Sequence, residues 1–214
     1  MLLMERIDGK LGALVSLRNE PVQARSTARL TALLDAAASA IDDLGYERLT
    51  TAMVAERAGA SIGTVYRYFP DRIAVLQALA TRNLDFVMRG IERAINDRRV
   101  TSSREAVVGS FDAYVNAFRS QRGFASLRGG DVLDLRPFQG GPTANSRIAE
   151  MLMNGIASRF GTETSSTALF AFENAIEVQD ALIARAFARS AKGDPVFLES
   201  GRRLVLSILS EHLG

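Results

Sequence analysis

Apolar residues recur along nearly the whole chain at spacings of three and four, the period of an amphipathic helix, and no run of alternating β-branched residues bounded by turns interrupts them. The pattern predicts an all-α protein. Leu30, Leu33, Leu34, Ala37, Ile41 and Leu44 form the first stripe, with Ser26 or Thr27 placed to cap its start and Gly45 to stop it. Thr50 is suited to cap a short second helix with inward positions Thr51, Val54, Ala55 and Ala58. After Gly59 and Ala60, Ser61 can cap a third helix that must end before Pro70. Two short helices joined by a glycine-containing turn are the helix-turn-helix pattern.

From Asp71 the stripe Ile73, Leu76, Leu79, Ala80, Leu84, Val87, Ile91 and Ile95 runs unbroken to about Arg98. At 1.5 Å per residue that is about 40 Å, long enough to join two bodies. Later helices are expected over about Arg104–Ser120, Asn145–Phe160 (closed by Gly161), Ser165–Ala191 and Pro195–Leu213, the last with Asp194 as N-cap. The glycine- and proline-bearing stretch Gln121–Thr143 is expected to be loop or broken helix. Residues 1–24 lack a sustained period and are expected to form a loosely ordered arm. The organisation that follows is an arm over 1–24, a helix-turn-helix unit over 25–72 and a larger helical unit over 73–214.

Composition then excludes most chemistry. With 214 residues, 47% of them hydrophobic and 23% charged, the chain can bury a real core. There is no Cys and a single His, so disulfides, thiolate catalysis and Cys- or His-built metal sites are ruled out as readings. No glycine-rich loop follows a strand, and no acid-base pair stands out, so an enzyme is not expected and no cofactor is implied. No apolar run approaches a membrane span and the N-terminus makes a poor signal peptide, which points to a cytoplasmic protein without membrane contact. Net charge is only +2, so any nucleic-acid footprint must be local. Within Arg57–Arg72 there are three Arg against one Asp71.

The stretch Leu49–Arg72, LTTAMVAERAGASIGTVYRYFPDR, closely resembles the DNA-binding domain of TetR-family transcriptional regulators. The similarity covers roughly Arg25–Leu79 and includes the AG turn, the GTVYRYF recognition helix and the basic residue opening the fourth helix. It implies an N-terminal three-helix DNA-binding domain joined by a long helix to a C-terminal ligand-binding and dimerisation domain. It also implies a homodimer on a palindromic double-stranded operator, released by a small, hydrophobic effector. Thr50, Thr51, Tyr66, Tyr68 and Arg72 would then contact mainly the DNA backbone, and Ile62, Gly63, Thr64, Tyr66 and Arg67 would lie at or near base edges.

The residues support this independently. On the third helix Val65 and Phe69 face inward while Gly63, Thr64, Arg67 and Tyr68 turn outward, so small, hydroxyl and guanidinium groups are offered to a major groove. Amides at the helix starts beside Thr50, Thr51 and Ser61 suit phosphate. Ala52 and Ile62 depart from the basic or polar residues common in the family; Ile62 either meets a thymine methyl or packs beside Phe69. Arg25 and Arg29 either reach a minor groove or are simply solvated.

In the second body Phe111, Tyr114 and Phe118 form one aromatic face that either lines an effector pocket or is plain core, with Leu152, Phe172 and Asn174 as further candidate ligand contacts. Leu169, Phe172, Ile176, Gln179 and Ile183, with Phe197, Leu198, Leu204, Val205, Ile208 and Leu209, supply apolar stripes for a four-helix dimer seam or for an intramolecular core. The alternative to a regulator is a helical ligand-binding or scaffold protein without DNA binding.

Overall fold

The computed structural model describes residues 20–127 and 142–214, and every regular element among them is helical. The helices are α1 (Glu20–Leu44), α2 (Thr51–Arg57), α3 (Ile62–Tyr68), α4 (Arg72–Asn96), α5 (Ser103–Ser120), α6 (Phe124–Leu127), α7 (Ala144–Phe160), α8 (Ser166–Arg189) and α9 (Pro195–Ile208), with a 3-10 turn at Tyr46–Arg48.

Two starts and ends differ from the sequence pattern. Helix α1 begins at Glu20, so Ser26 and Thr27 lie inside it rather than capping it, and the end of the expected arm is helical. Pro21 in the first turn loses no hydrogen bond and presets a helical φ, whereas the Ser26 hydroxyl is 3.2 Å from the Tyr68 hydroxyl. Residues 1–19 of the arm lie outside the described residues, as does 128–141 of the glycine-rich stretch; ahead of it, Phe124–Leu127 form one helical turn. Helix α9 stops at Ile208, yet Leu213 remains buried, its carbonyl accepting a hydrogen bond from the Ser103 hydroxyl. At the other termini the capping residues act as their side chains dictate: Thr50, Ser61, Asp71, Ser102, Thr143, Ser165 and Asp194 each accept a bond from a first-turn amide. Gly161 closes α7 in the left-handed conformation at φ 72°.

Two apolar cores share α4. Its first half gives Val75, Leu76 and Leu79 to a core with Leu33, Ala37, Ile41, Val54, Val65 and Phe69, so the first body extends past residue 72. Its second half gives Val87, Ile91 and Ile95 to the core of α5 and α7–α9. The close approach of α4 to α5 depends on small residues: a Cβ on Gly90 would stand 3.2 Å from that of Ala113, and one on Gly109 3.2 Å from that of Ala94.

The stripe Phe172, Ile176, Gln179 and Ile183 turns into the chain's own core, at most 2% exposed, and so is not a seam for a partner. Leu198, Val205 and Leu209 are buried with it, and Phe197 and Ile208 pack half-buried against it. The reason is competition for one face: α8 meets both α7 and α9 within the chain. The large apolar side chains left outward on α8 and α9 are Phe170, Val196 and Leu204, 66%, 74% and 42% exposed.

Candidate nucleic-acid interface

Helix α3 is held by one face and offers the other. Val65 and Phe69 are buried in the first core, and the N-cap Ser61 accepts from the Thr64 amide at 3.1 Å while its hydroxyl lies 2.9 Å from that of Thr64. Gly59 makes the turn at φ 57°, a conformation that disfavours any Cβ, and lets the Ala60 amide return to the Ala55 carbonyl at 2.9 Å. Outward stand Ser61, Ile62, Gly63, Tyr66 and Arg67, with Thr64 half-buried beside them. A Cβ on Gly63 would meet nothing nearer than the Ser61 hydroxyl at 3.8 Å, so the outer surface of the helix is open at this point down to the backbone.

Ile62 is 43% exposed, whereas Phe69 is buried in the first core. Tyr66, 54% exposed, accepts a long bond of 3.4 Å from the Thr51 hydroxyl and so ties the start of α2 to the outer face of α3. Arg67 is exposed and has no ion-pair partner among the described residues.

Two predicted contacts are engaged within the protein. The Tyr68 ring packs on the first core and its hydroxyl meets Ser26 on α1. Arg72 is half-buried and donates to the Glu47 carbonyl at 2.6 Å, fastening the 3-10 turn ahead of α2. That turn presents Arg48, exposed two residues before the Thr50 cap, a cation the sequence reading passed over although its place beside a helix start was visible. Arg57 is taken by Asp43 at 2.5 Å and by Ser39. Arg25 and Arg29 are exposed near the start of α1.

In the second body Phe111, Tyr114, Phe118, Leu152 and Phe172 are all buried, 8% exposed at most, in one packed core. The structure joins Tyr114 and Phe118 to two rings the sequence reading did not include. Phe124 lies 6.0 Å from Tyr114 and 5.0 Å from Phe118, and Phe187 stacks on Phe118 at 4.9 Å. Phe111 instead lies under α9, with the Arg202 guanidinium 5.1 Å from its ring centre. Asn174 is exposed and separate from this set, because positions 170, 174 and 177 form the outer side of α8. Two recesses, of about 400 and 590 Å³, are open grooves against α9 lined by Arg202 and Glu199. The Tyr114 hydroxyl donates to Asp180 at 2.8 Å inside the core.

Comparison with known proteins agrees with this arrangement. Residues 33–79 match the family model described as bacterial regulatory proteins, tetR family, and residues 101–213 match the tetracyclin repressor-like C-terminal domain. The chain belongs to the TetR family. A crystal structure of a TetR-family transcriptional regulator from Streptomyces coelicolor is 30% identical, covers 86% of this chain and 99% of its own, and superposes with a TM-score of 0.73. An HTH-type transcriptional regulator of Mycobacterium bovis is 39% identical over 66 residues, 31% of this chain. The match spans about a third of that relative, 35% of its length. RolR, solved with the ligand resorcinol, shares the fold at 21% identity with a TM-score of 0.54, over 90% of this chain and 98% of its own. No described helix is long and apolar enough to cross a membrane.

Proposed function

We propose that this TetR-family chain is a homodimeric repressor that binds a palindromic operator through α3 and is released by a small, largely hydrophobic effector bound in its second body. The observation that carries the DNA-binding half is the outer face of α3: Arg67 without an ion-pair partner, open backbone at Gly63, and Ile62, Thr64 and Tyr66 ranged beside them on the exposed side of the helix, all judged among the described residues. Such a face offers a guanidinium to a guanine edge and a methyl-bearing side chain to thymine. Thr50, Thr51 and Ser61 at the helix starts, with Arg48 beside them, stand where phosphates would flank the groove. Arg72 and Tyr68 act one step back, holding the 3-10 turn and α1 against the reading helix.

Reading two half-sites requires a two-fold axis. Phe170, Val196 and Leu204 are the large outward apolar groups that the fold leaves on the last two helices, and in this reading Phe170 and Leu204 mark the seam. Effector binding resembles what RolR does with resorcinol, and the repressor role follows the C-terminal family description.

A structural joint connects the two sites. Phe124 of α6 belongs to the aromatic set of the second core, and Leu127, three residues on, is buried in the first. Just before them the Gly123 amide donates to Asp42 of α1 at 2.6 Å, and Arg122 donates to Ser39 at 3.2 Å. A ligand that shifts Phe124 therefore moves α1 and the body carrying α3.

Mobility shift on DNA selected from a random pool tests the reading. Binding should fall steeply with salt, and Leu204→Glu should give monomers in light scattering together with weakened operator binding. A dimeric protein with no DNA affinity at low salt would instead favour a helical ligand-binding protein.

A further inference from the structure

The outward face of α8 sorts its charges by sign. From Phe170 to Ala188 its exposed residues are Phe170, Asn174, Glu177, Ala181, Arg185 and Ala188. At about 3.6 residues per turn all of them fall within about 40° of the direction of Ala181, so they form one straight stripe with Ala181 near its middle. The acids Glu173 and Glu177 come before Ala181 and the bases Arg185 and Arg189 after it, each four residues from the next. Forces within the helix do not favour this order. An acid four positions ahead of a base stabilises a helix, whereas here Glu173 adjoins Glu177 and Arg185 adjoins Arg189, two like-charge pairs that oppose it. The attraction of the helix dipole is confined to the end turns, and Glu177 stands eleven residues beyond Ser166, the first residue of α8. Asp194 takes up Arg189 at 2.8 Å, but Glu177 and Arg185 have no ion-pair partner among the described residues.

An antiparallel copy of the same helix supplies what is missing. A two-fold axis through Ala181, perpendicular to α8, carries each position before Ala181 onto the position equally far after it. Glu177 and Arg185 are both four residues away. Glu177 of one subunit therefore falls opposite Arg185 of the partner subunit, and symmetry repeats the pair on the other side of the axis. The side chains at and near the axis are small: Ala181 and Ala188 are exposed, and Ala184 between them is half-buried, so two backbones can approach closely. Helix α9 brings its own apolar group to the same level. It runs antiparallel to α8, with Gly201 against Leu182 and Asp194 bonded to Arg189. That register sets the exposed Leu204 level with Gln179, about 3 Å from Ala181 along the helix axis.

We propose that the outward face of α8 pairs with a second copy of this chain about a two-fold axis at Ala181, the two α8 helices antiparallel and Glu177 of each subunit bound to Arg185 of the partner subunit. This deepens, and rests on, the reading of the protein as a homodimer. What it adds is the place of the axis, the direction of the helices and the pair of charges that selects a like chain. Charges placed in this way set register and partner choice more than strength, which comes from the apolar groups beside them. A chain with both charges of one sign, or with their order reversed, would meet like against like and be rejected.

Charge reversal in the full chain tests the pairing. Within one chain Glu177→Arg places a base four positions after Glu173, and Arg185→Glu an acid four positions before Arg189, so each replaces a like-charge pair by a favourable one and neither should reduce helical content. Across the axis each substitution puts two like-charge pairs into a homodimer. Sedimentation equilibrium at low salt should therefore show the dimer dissociation constant of either variant raised about tenfold or more. Mixing the two variants restores both attractive pairs. Native mass spectrometry of the mixture should find the mixed dimer well above the half share that random pairing gives, and the excess should fade as salt rises. The chain carrying both substitutions should form homodimers as the parent does. Should either variant fail to fold, a double-mutant cycle with Glu177→Gln and Arg185→Gln replaces the exchange, with non-additive dimer affinities expected. Unchanged dimers in both single variants, random pairing in the mixture or additive affinities in the cycle would overturn this pairing and leave the homodimer reading standing. A parent chain that stays monomeric at every concentration would overturn both.

Discussion

The two bodies of this chain use their side chains in opposite directions. The first has a core of apolar side chains, several of them alanines, with no buried polar group among its described residues, and it sends its hydroxyls and guanidinium groups outward along α3. The second keeps its polar side chains inside, where a carboxylate, a tyrosine and three carboxamides share the core with phenylalanines. A short helix of seven residues has little stability of its own, so α3 must bury one face completely to hold the other still for a ligand as large as DNA. A site for a small molecule has the reverse requirement, since its selectivity comes from polar groups placed within an apolar enclosure.

The most severe way to break this comparison is to remove the anchor of the outward face. Phe69→Ala should cost about 3–5 kcal/mol, enough to unfold the first body, abolish DNA binding and leave the proposed dimer intact. Thermal melting with light scattering would show it, and loss of the dimer as well would mean that the bodies do not fold independently.

Next in size is the outward face itself. If Arg67 reads base edges as proposed, Arg67→Ala should cost about 1–3 kcal/mol per half-site on the selected operator and less on unrelated DNA. Arg72→Ala should differ in kind. It frees the 3-10 turn held through the Glu47 carbonyl, so it should weaken binding to all sequences alike and leave base preference unchanged. A change of preference in Arg72→Ala, measured by repeated selection, would place that residue at the bases instead.

The joint between the bodies comes third. Gly123 has φ 70°, and a Cβ there would lie 3.2 Å from the Ala38 carbonyl oxygen and 3.3 Å from its Cα. Gly123→Ala should therefore cost about 1–3 kcal/mol and displace α6 from α1. The expected signature is reduced coupling: effector still binds, but operator affinity responds less. Unaltered coupling would leave α4 as the sole connection.

The smallest effect concerns acid. The side-chain hydrogen bond from Arg99 holds the Asp97 carboxyl at about 2, below its ordinary value of 3.8. With the folded value depressed, its contribution is present above about pH 4 and is lost as pH falls through about 2. Asp194, lowered by Arg189 and by the amide of Val196 that it caps, moves in the same direction. Asp97→Asn should flatten the acid side of the melting profile slightly and leave neutral pH almost untouched, which melts from pH 2 to 7 would check.

The all-α architecture, the helix-turn-helix and the long fourth helix were legible in the residues because each depends on local rules. Periodicity marks a buried face, Ser, Thr and Asp mark starts, and Gly59 and Gly161 mark turns, all within a few residues of the effect. Family resemblance supplied the expected roles of Thr64, Tyr66 and Arg67, which spacing alone would have left as surface. The start of α1 was not legible, because Ser26 has the chemistry of a cap and only the distant Tyr68 shows that it is used elsewhere. Nor was the destination of the α8 stripe. Phe172, Ile176, Gln179 and Ile183 carry the same spacing whether they face a second subunit or their own chain, and three-dimensional competition for that face decided the matter. Arg72 and Glu47 lie 25 positions apart, and the Tyr114–Asp180 bond spans 66. Local chemistry determined what each helix is; only packing decided which polar groups meet and which are left waiting for a partner.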